Sequence, residues 1–235
     1  MSHITTLFQW HKRLLKQLSK IEFVVPLALR LILAPTLIIA GYNKLRLGES
    51  GIGFIESLGP APSAVAWFGN ADWGLGLPFP ELMVTLAAWT EFAGGWLLLI
   101  GLFNRLISIP LAFTMLIAAL TAHWSNGWFA IAPSNPDTSA AQVYAWLGVD
   151  AASQSLENSK AVGQRLQAAK SLLQEHGHYD WLTEKGNYVV LNNGIEFAAM
   201  YFVMLLTLVF MGGGRWFSVD DWLRRWLQRG STAEF

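Results

Sequence analysis

Four apolar runs, each close to twenty residues long, constrain this chain more than any other feature: Val24–Asn43, Glu81–Leu102, Leu106–Trp124 and Ile195–Gly213. A hydrocarbon core of about 30 Å takes about 20 helical residues to cross. None of the runs alternates like a barrel strand, and open sheets have no place in lipid, so the spacing predicts four membrane helices. Only Phe103–Arg105 separate the second and third runs, which makes them an antiparallel hairpin. Composition agrees. Of 235 residues, 53% are hydrophobic and 14% charged, where a soluble domain carries about 25% charged. Twelve Trp and fourteen Phe supply rings of the kind that collect at membrane interfaces. The expected fold class is all-α: an integral membrane four-helix bundle with interfacial helices at both ends and a helical insertion between spans three and four.

Lys and Arg give the orientation. Lys12, Arg13, Lys16, Lys20, Arg105, Arg215, Arg224, Arg225 and Arg229 lie on one side in short segments. Lys44, Arg46, Lys160, Arg165, Lys170 and Lys185 are spread over two long loops on the other. Both termini are therefore expected in the cytoplasm and the protein in a bacterial inner membrane. The organisation that follows has residues 1–23 as a cytoplasmic interfacial helix and 24–124 as spans one to three, with a periplasmic loop at 44–80. Residues 125–194 form a periplasmic insertion, 195–213 the fourth span, and 214–235 a cytoplasmic interfacial tail. The first span has a long basic leader and reads as an uncleaved anchor. In the first segment Ile4, Leu7, Phe8, Leu14, Leu15 and Leu18 recur at helical spacing against a basic face. In the tail, Ser218 followed by Asp221 reads as a capping-box variant. Within the insertion, Ser153–His176 places Leu156, Val162, Leu166, Ala169 and Leu173 near one face of a lid helix.

Equal numbers of acidic and basic residues, sixteen of each, exclude a nucleic-acid footprint. The absence of cysteine excludes disulfides, thiol relays, iron–sulfur ligation and Cys-based zinc within the chain. One His adjoins a span, so one copy cannot build a bis-His haem in the membrane. No covalent cofactor is expected.

Charged groups inside a span need partners. At 1.5 Å per residue, Arg30 lies about 9 Å and Glu91 about 16 Å from the cytoplasmic edge. An Arg side chain covers that difference, so Arg30 and Glu91 are expected to form an intramembrane ion pair, with Thr90, Asn104 and Arg105 as secondary neighbours. At the outer edge, His123 and Glu196 are the candidate proton-handling (catalytic) groups. Tyr42, Lys44, Trp124, Asn126 and Trp128 are the candidate ligand-binding groups, able to hold a quinone ring. The alternative reading makes the same residues headgroup anchors, with His123–Glu196 a single structural hydrogen bond. Adding His176 and His178 to these two would make a three-His metal site, but that spacing is weak; a solvated helix end is the better reading, and no metal ligands are assigned.

Gly41-Tyr-Asn-Lys-Leu and Glu91-Phe-Ala-Gly-Gly-Trp-Leu-Leu-Leu-Ile-Gly-Leu-Phe-Asn-Arg105 resemble the DoxX family of small four-helix bacterial membrane proteins. Gly212-Gly-Gly-Arg-Trp-Phe-Ser-Val-Asp220, after Glu196, fits the same family, and the resemblance covers the four spans, about half of the chain. The long insertion opening with His123-Trp-Ser-Asn-Gly-Trp looks like the HvfX subgroup, found with clusters that make metal-binding peptides. The resemblance implies redox association and a quinone partner, while the lack of Cys removes thiosulfate-carrying thiol chemistry.

Three readings follow, and whether the protein is an enzyme stays open among them. One is an inner-membrane protein supporting redox or metal homeostasis as a quinone-linked oxidoreductase component. The second is a non-enzymatic scaffold or escort gripping a protein or metal-binding peptide through residues 125–194. The third, a small transporter, has few polar groups along its spans to work with. The lipid bilayer is a partner in all three.

Overall fold

The apolar runs fold as helices. The computed structural model of the chain describes residues 2–231, with side chains for 8–229. The last four tail residues, and the side chains of Ile4 and Leu7, lie outside the described residues. The first helices are α1 (Ser2–Leu18), α2 (Val24–Tyr42), α3 (Phe54–Ser57), α4 (Pro62–Gly69), α5 (Pro80–Ile100) and α6 (Asn104–Ala118). After them come α7 (Ala141–Trp146), α8 (Asp150–His176), α9 (Tyr179–Thr183), α10 (Glu196–Met211) and α11 (Val219–Ser231). No β-strand forms among the described residues; two isolated bridges, Leu45 with Pro60 and Ile131 with Leu191, pin loops. Contacts divide the chain into a bundle unit, Met1–Ala122 with Ala198–Phe235, and an insertion unit, His123–Phe197.

Among the described residues, three helices have the length and apolarity to cross a membrane: α2, α5 and the helical stretch Asn104–Asn126 that begins with α6. The last is not a straight span to Trp124. Its end widens into a π turn at Ala119–His123 and tightens to a 3₁₀ turn at Trp124–Asn126. The fourth apolar helix, α10, has 16 residues, about 24 Å. It is shorter than the apolar run because Gly212 and Gly214 take φ of 75° and 81° and turn the chain.

Burial along the spans has helical period. On α2 it follows Pro26, Arg30, Leu33, Ala34, Leu37 and Gly41; on α5 it follows Val84, Ala88, Glu91, Gly94, Gly95 and Leu98. Leu33, Leu37, Leu98, Leu111, Met115, Leu205 and Leu208 meet in one core, so α2, α5, α6 and α10 all contribute to an integral membrane four-helix bundle. In lipid the drive for such packing is close backbone approach rather than water exclusion. A Cβ on Gly41 would stand 2.4 Å from the Phe92 N and 2.6 Å from the Ala88 O; one on Gly95 would stand 2.8 Å from Ile38 Cγ1. Helices α2 and α5 therefore touch through small residues. Replacing Gly41 with Leu is expected to push them apart and cost about 3 kcal/mol, read as a lowered Tm in detergent.

In the insertion unit, a 3₁₀ turn at Pro136–Thr138 and α7 pack beside α8, with Ala141, Ala152, Ser159 and Val162 buried. Of the face expected on the long helix, Val162 is buried, Leu156, Leu166 and Leu173 are half-buried, and Ala169 is exposed.

Candidate functional site

Two charged residues lie buried in the spanning helices, and each has its own set of partners. Because Gly41 rests on Ala88 and Phe92, the next turn of the chain brings Lys44 level with Glu91. Lys44 Nζ donates to Glu91 Oε2 at 2.5 Å and to the Ala40 carbonyl at 3.2 Å. Glu91 is 5% exposed. Three aromatic rings of the same two helices pack on one another: Tyr42 and Phe92 have centroids 6.4 Å apart, and Trp89 meets Phe92 edge-on at 6.0 Å. Trp89 Nε1 donates to the Leu58 carbonyl, tying the loop between α2 and α5 to this level. Farther along that loop, Arg46 holds Glu49 and Glu56 at 2.7 Å each. Its hydrogen bond keeps the Glu49 carboxyl below the ordinary range.

The pairing expected between Arg30 and Glu91 is corrected. Arg30 Nε donates to the Leu98 carbonyl at 2.7 Å and Nη2 to that of Leu99 at 2.6 Å. Nη1 donates to the carbonyls of Gly213 and Phe217, both at 2.9 Å. Leu98 lies seven residues past Glu91, about 10 Å along the helix. The guanidinium turns toward the nearer end of the bundle, where the last carbonyls of α5 lack helical partners and carry the negative end of the helix dipole. The tail reinforces the same place. Asp220 accepts the N–H groups of Phe103 and Asn104 at 2.8 and 2.9 Å, which stabilises a Phe103 φ of 51° that a bulky residue resists.

Ser218 does not close the capping box expected with Asp221. Its hydroxyl donates to the Gly101 carbonyl of the α5–α6 turn at 2.8 Å. Asp221 instead accepts the Trp216 N–H and pairs with Arg225. Burial pushes the Asp221 carboxyl up, but the Trp216 N–H and the Arg225 and Arg224 guanidiniums outweigh it and hold the group below its ordinary value of 3.8. A depressed folded-state value means a contribution complete above about pH 4 and lost as the pH falls through that lower value. Thermal unfolding of Asp221→Asn is therefore expected to show a flatter acid limb below that pH than the parent protein.

The remaining sequence candidates fall in the insertion unit, apart from Tyr42 and Lys44 in the bundle unit. His123 Nδ1 donates to the Asn193 carbonyl at 2.9 Å, and Asn126 Nδ2 donates to the same oxygen at 3.1 Å. Glu196 Oε2 accepts the Ala130 N–H at 3.0 Å. His123 and Glu196 thus have separate backbone partners, and each ties the segment 123–130 to 193–196. Trp124 and Trp128 are exposed. Among the described residues no three His, Asp or Glu side chains gather as metal ligands, so His176 and His178 do not join His123 and Glu196 in such a cluster.

Sequence reasoning missed the partner of Glu91. The signal was Gly41: a glycine three residues before Lys44 marks the face of α2 that touches α5. No curated protein and no solved structure matches the chain. Across residues 25–124, which hold α2, α5, α6 and the Lys44–Glu91 pair, this chain matches the model of the DoxX family.

Proposed function

We propose that the bundle is a quinone-binding component of a membrane redox system and that Lys44 and Glu91 form its head-group site. The observation that carries this reading is a carboxylate and an ammonium bonded to each other inside a membrane bundle, where ionisable groups are costly and mark function. The donor set fits a quinone carbonyl. An ammonium has three N–H donors, and Lys44 spends two of them on Glu91 and Ala40. The third is offered to an incoming oxygen, Glu91 fixes the ammonium and receives or returns a proton, and Tyr42, Phe92 and Trp89 frame an aromatic ring. A bound quinone supplies two-electron, two-proton chemistry; with no cysteine in the chain, electrons come from a partner. His123 and Glu196, in the insertion unit, belong to this proposal as its proton-handling groups. The basic residues support an inner-membrane location with both termini cytoplasmic. The insertion opening at His123 supports membership of the HvfX-like subgroup and a link to metal homeostasis.

Extraction of the detergent-purified protein and mass spectrometry for quinone tests the reading. About one quinone per chain is expected, falling about tenfold in Lys44→Met/Glu91→Met. Equal retention by that double variant, or no quinone in the parent, rejects it.

A second reading, an escort for a protein or peptide, is favoured by the insertion unit. Tyr144, Trp146, Leu147, Trp181 and Leu191 are 59–77% exposed there, more apolar surface than a unit without a partner needs. Trp146→Ser/Leu147→Ser is expected to release a co-purifying partner and to leave bound quinone unchanged.

A further inference from the structure

We propose that the cleft between the start of α2, the α5–α6 turn and the glycine turn before α11 is a binding site for a phosphate ester. Its occupant is the headgroup of an anionic phospholipid or a soluble phosphate compound. The cavity holds about 580 Å³ and lies at the ends of α2, α6 and α10, where a bilayer has its headgroups. One wall is apolar, built by Phe23, Pro26, Phe103, Leu106 and Met211, and the other is charged.

Three acids and three arginines line the cavity, and the acids already have partners. Asp220 is committed to the N–H groups of Phe103 and Asn104, Asp221 to Trp216 and Arg225, and Glu22 faces Arg215 at 4.0 Å. Arg105 and Arg224 remain without a hydrogen-bonded acid among the described residues, Arg224 feeling Asp221 only at longer range. Arg105 stands against the glycine turn, its Nε 3.0 Å from where a Cβ on Gly212 would be. A guanidinium beside backbone with no side chains lets a tetrahedral anion approach closely, and its fork matches phosphate oxygens. A polar side chain lies behind the glycine turn, outside the residues that line the cavity. Asn104, wholly buried against Gly213, has neither side-chain amide atom hydrogen-bonded. The apolar wall then lies beside the place where a lipid's acyl chains descend.

Native mass spectrometry of the full chain after exchange into equal phosphatidylglycerol and phosphatidylcholine tests the site, with inorganic phosphate as a parallel arm read by thermal unfolding. Arg105→Gln/Arg224→Gln removes the two exposed guanidiniums; Arg13→Gln/Lys16→Gln on α1 removes equal charge elsewhere. Retention of phosphatidylglycerol over phosphatidylcholine, lost about tenfold in the first variant and kept in the second, supports a lipid headgroup. Stabilisation by millimolar phosphate that only the first variant loses, without lipid preference, supports a soluble phosphate compound. Equal retention of both lipids together with no phosphate effect overturns the site, as does an equal loss in the two variants. Circular dichroism confirms that both variants are folded, and a first variant that fails this check is replaced by the Arg105→Lys/Arg224→Lys pair. That pair keeps charge but loses the fork, and its retention at the parent level overturns the site.

Discussion

Arg30→Met is expected to leave little folded protein after detergent extraction. The substitution keeps the apolar stem of the side chain and removes all four of its carbonyl contacts, two on α5 and two on the turn around α11. A hydrogen bond involving a charged group contributes about 1.5–3 kcal/mol, and each buried acceptor left bare adds a desolvation cost. The bonds are not additive, so we expect a loss of about 4 kcal/mol, a large share of a typical stability of about 5–15 kcal/mol. Arg30→Lys is expected to recover less than half of it, because a point charge with three donors cannot span four acceptors set in a fork. Size-exclusion profiles and Tm in detergent measure both. A parent-like Tm for Arg30→Met would mean that those carbonyls are satisfied in another way.

Lys44→Met is expected to cost about 3–5 kcal/mol on its own, since it leaves Glu91 charged and unpartnered among apolar side chains. Lys44→Met/Glu91→Met is expected to cost much less, because it removes both charges and fills the space with atoms of similar volume. The non-additivity is the measurement. Equal losses in the single and double variants would mean that the two groups act independently, and the 2.5 Å contact would then carry no coupling. The double variant also separates site from fold, since it discards the chemistry and keeps the packing.

The sequence made the spanning helices legible because a bilayer sets their length from outside: apolar residues must continue for about 30 Å whatever they pack against. Amphipathic ends were legible for a similar reason. The register between helices was not. Counting depth from the edge of a hydrophobic run gives the height of a Cα, while Arg30 acts at the height of its guanidinium, which turned toward the carbonyls of Leu98 and Leu99. Lys44 read as a ligand-binding group at the outer edge because it follows the apolar run, yet its ammonium bends back to Glu91. Ser218 and Asp221 carried the spacing of a local cap, and local spacing cannot show that the Gly101 carbonyl, distant in sequence, competes for the hydroxyl. For His123 and Glu196, the residue types invited a shared hydrogen bond, but each found a backbone partner set by the fold of the insertion.

The Arg30 contacts have a consequence for biogenesis. A ribosome delivers α2 before α5 and the turn ahead of α11, so its arginine is at first without the four carbonyls that it later bonds. Leu98 and Leu99 arrive with the next spanning helix, while Gly213 and Phe217 arrive only when nearly the whole chain has emerged. Until that moment the guanidinium is half satisfied, and the early helices hold a site that only the last turn completes. A chain cut short before residue 213 lacks two of the four oxygens that bond the guanidinium.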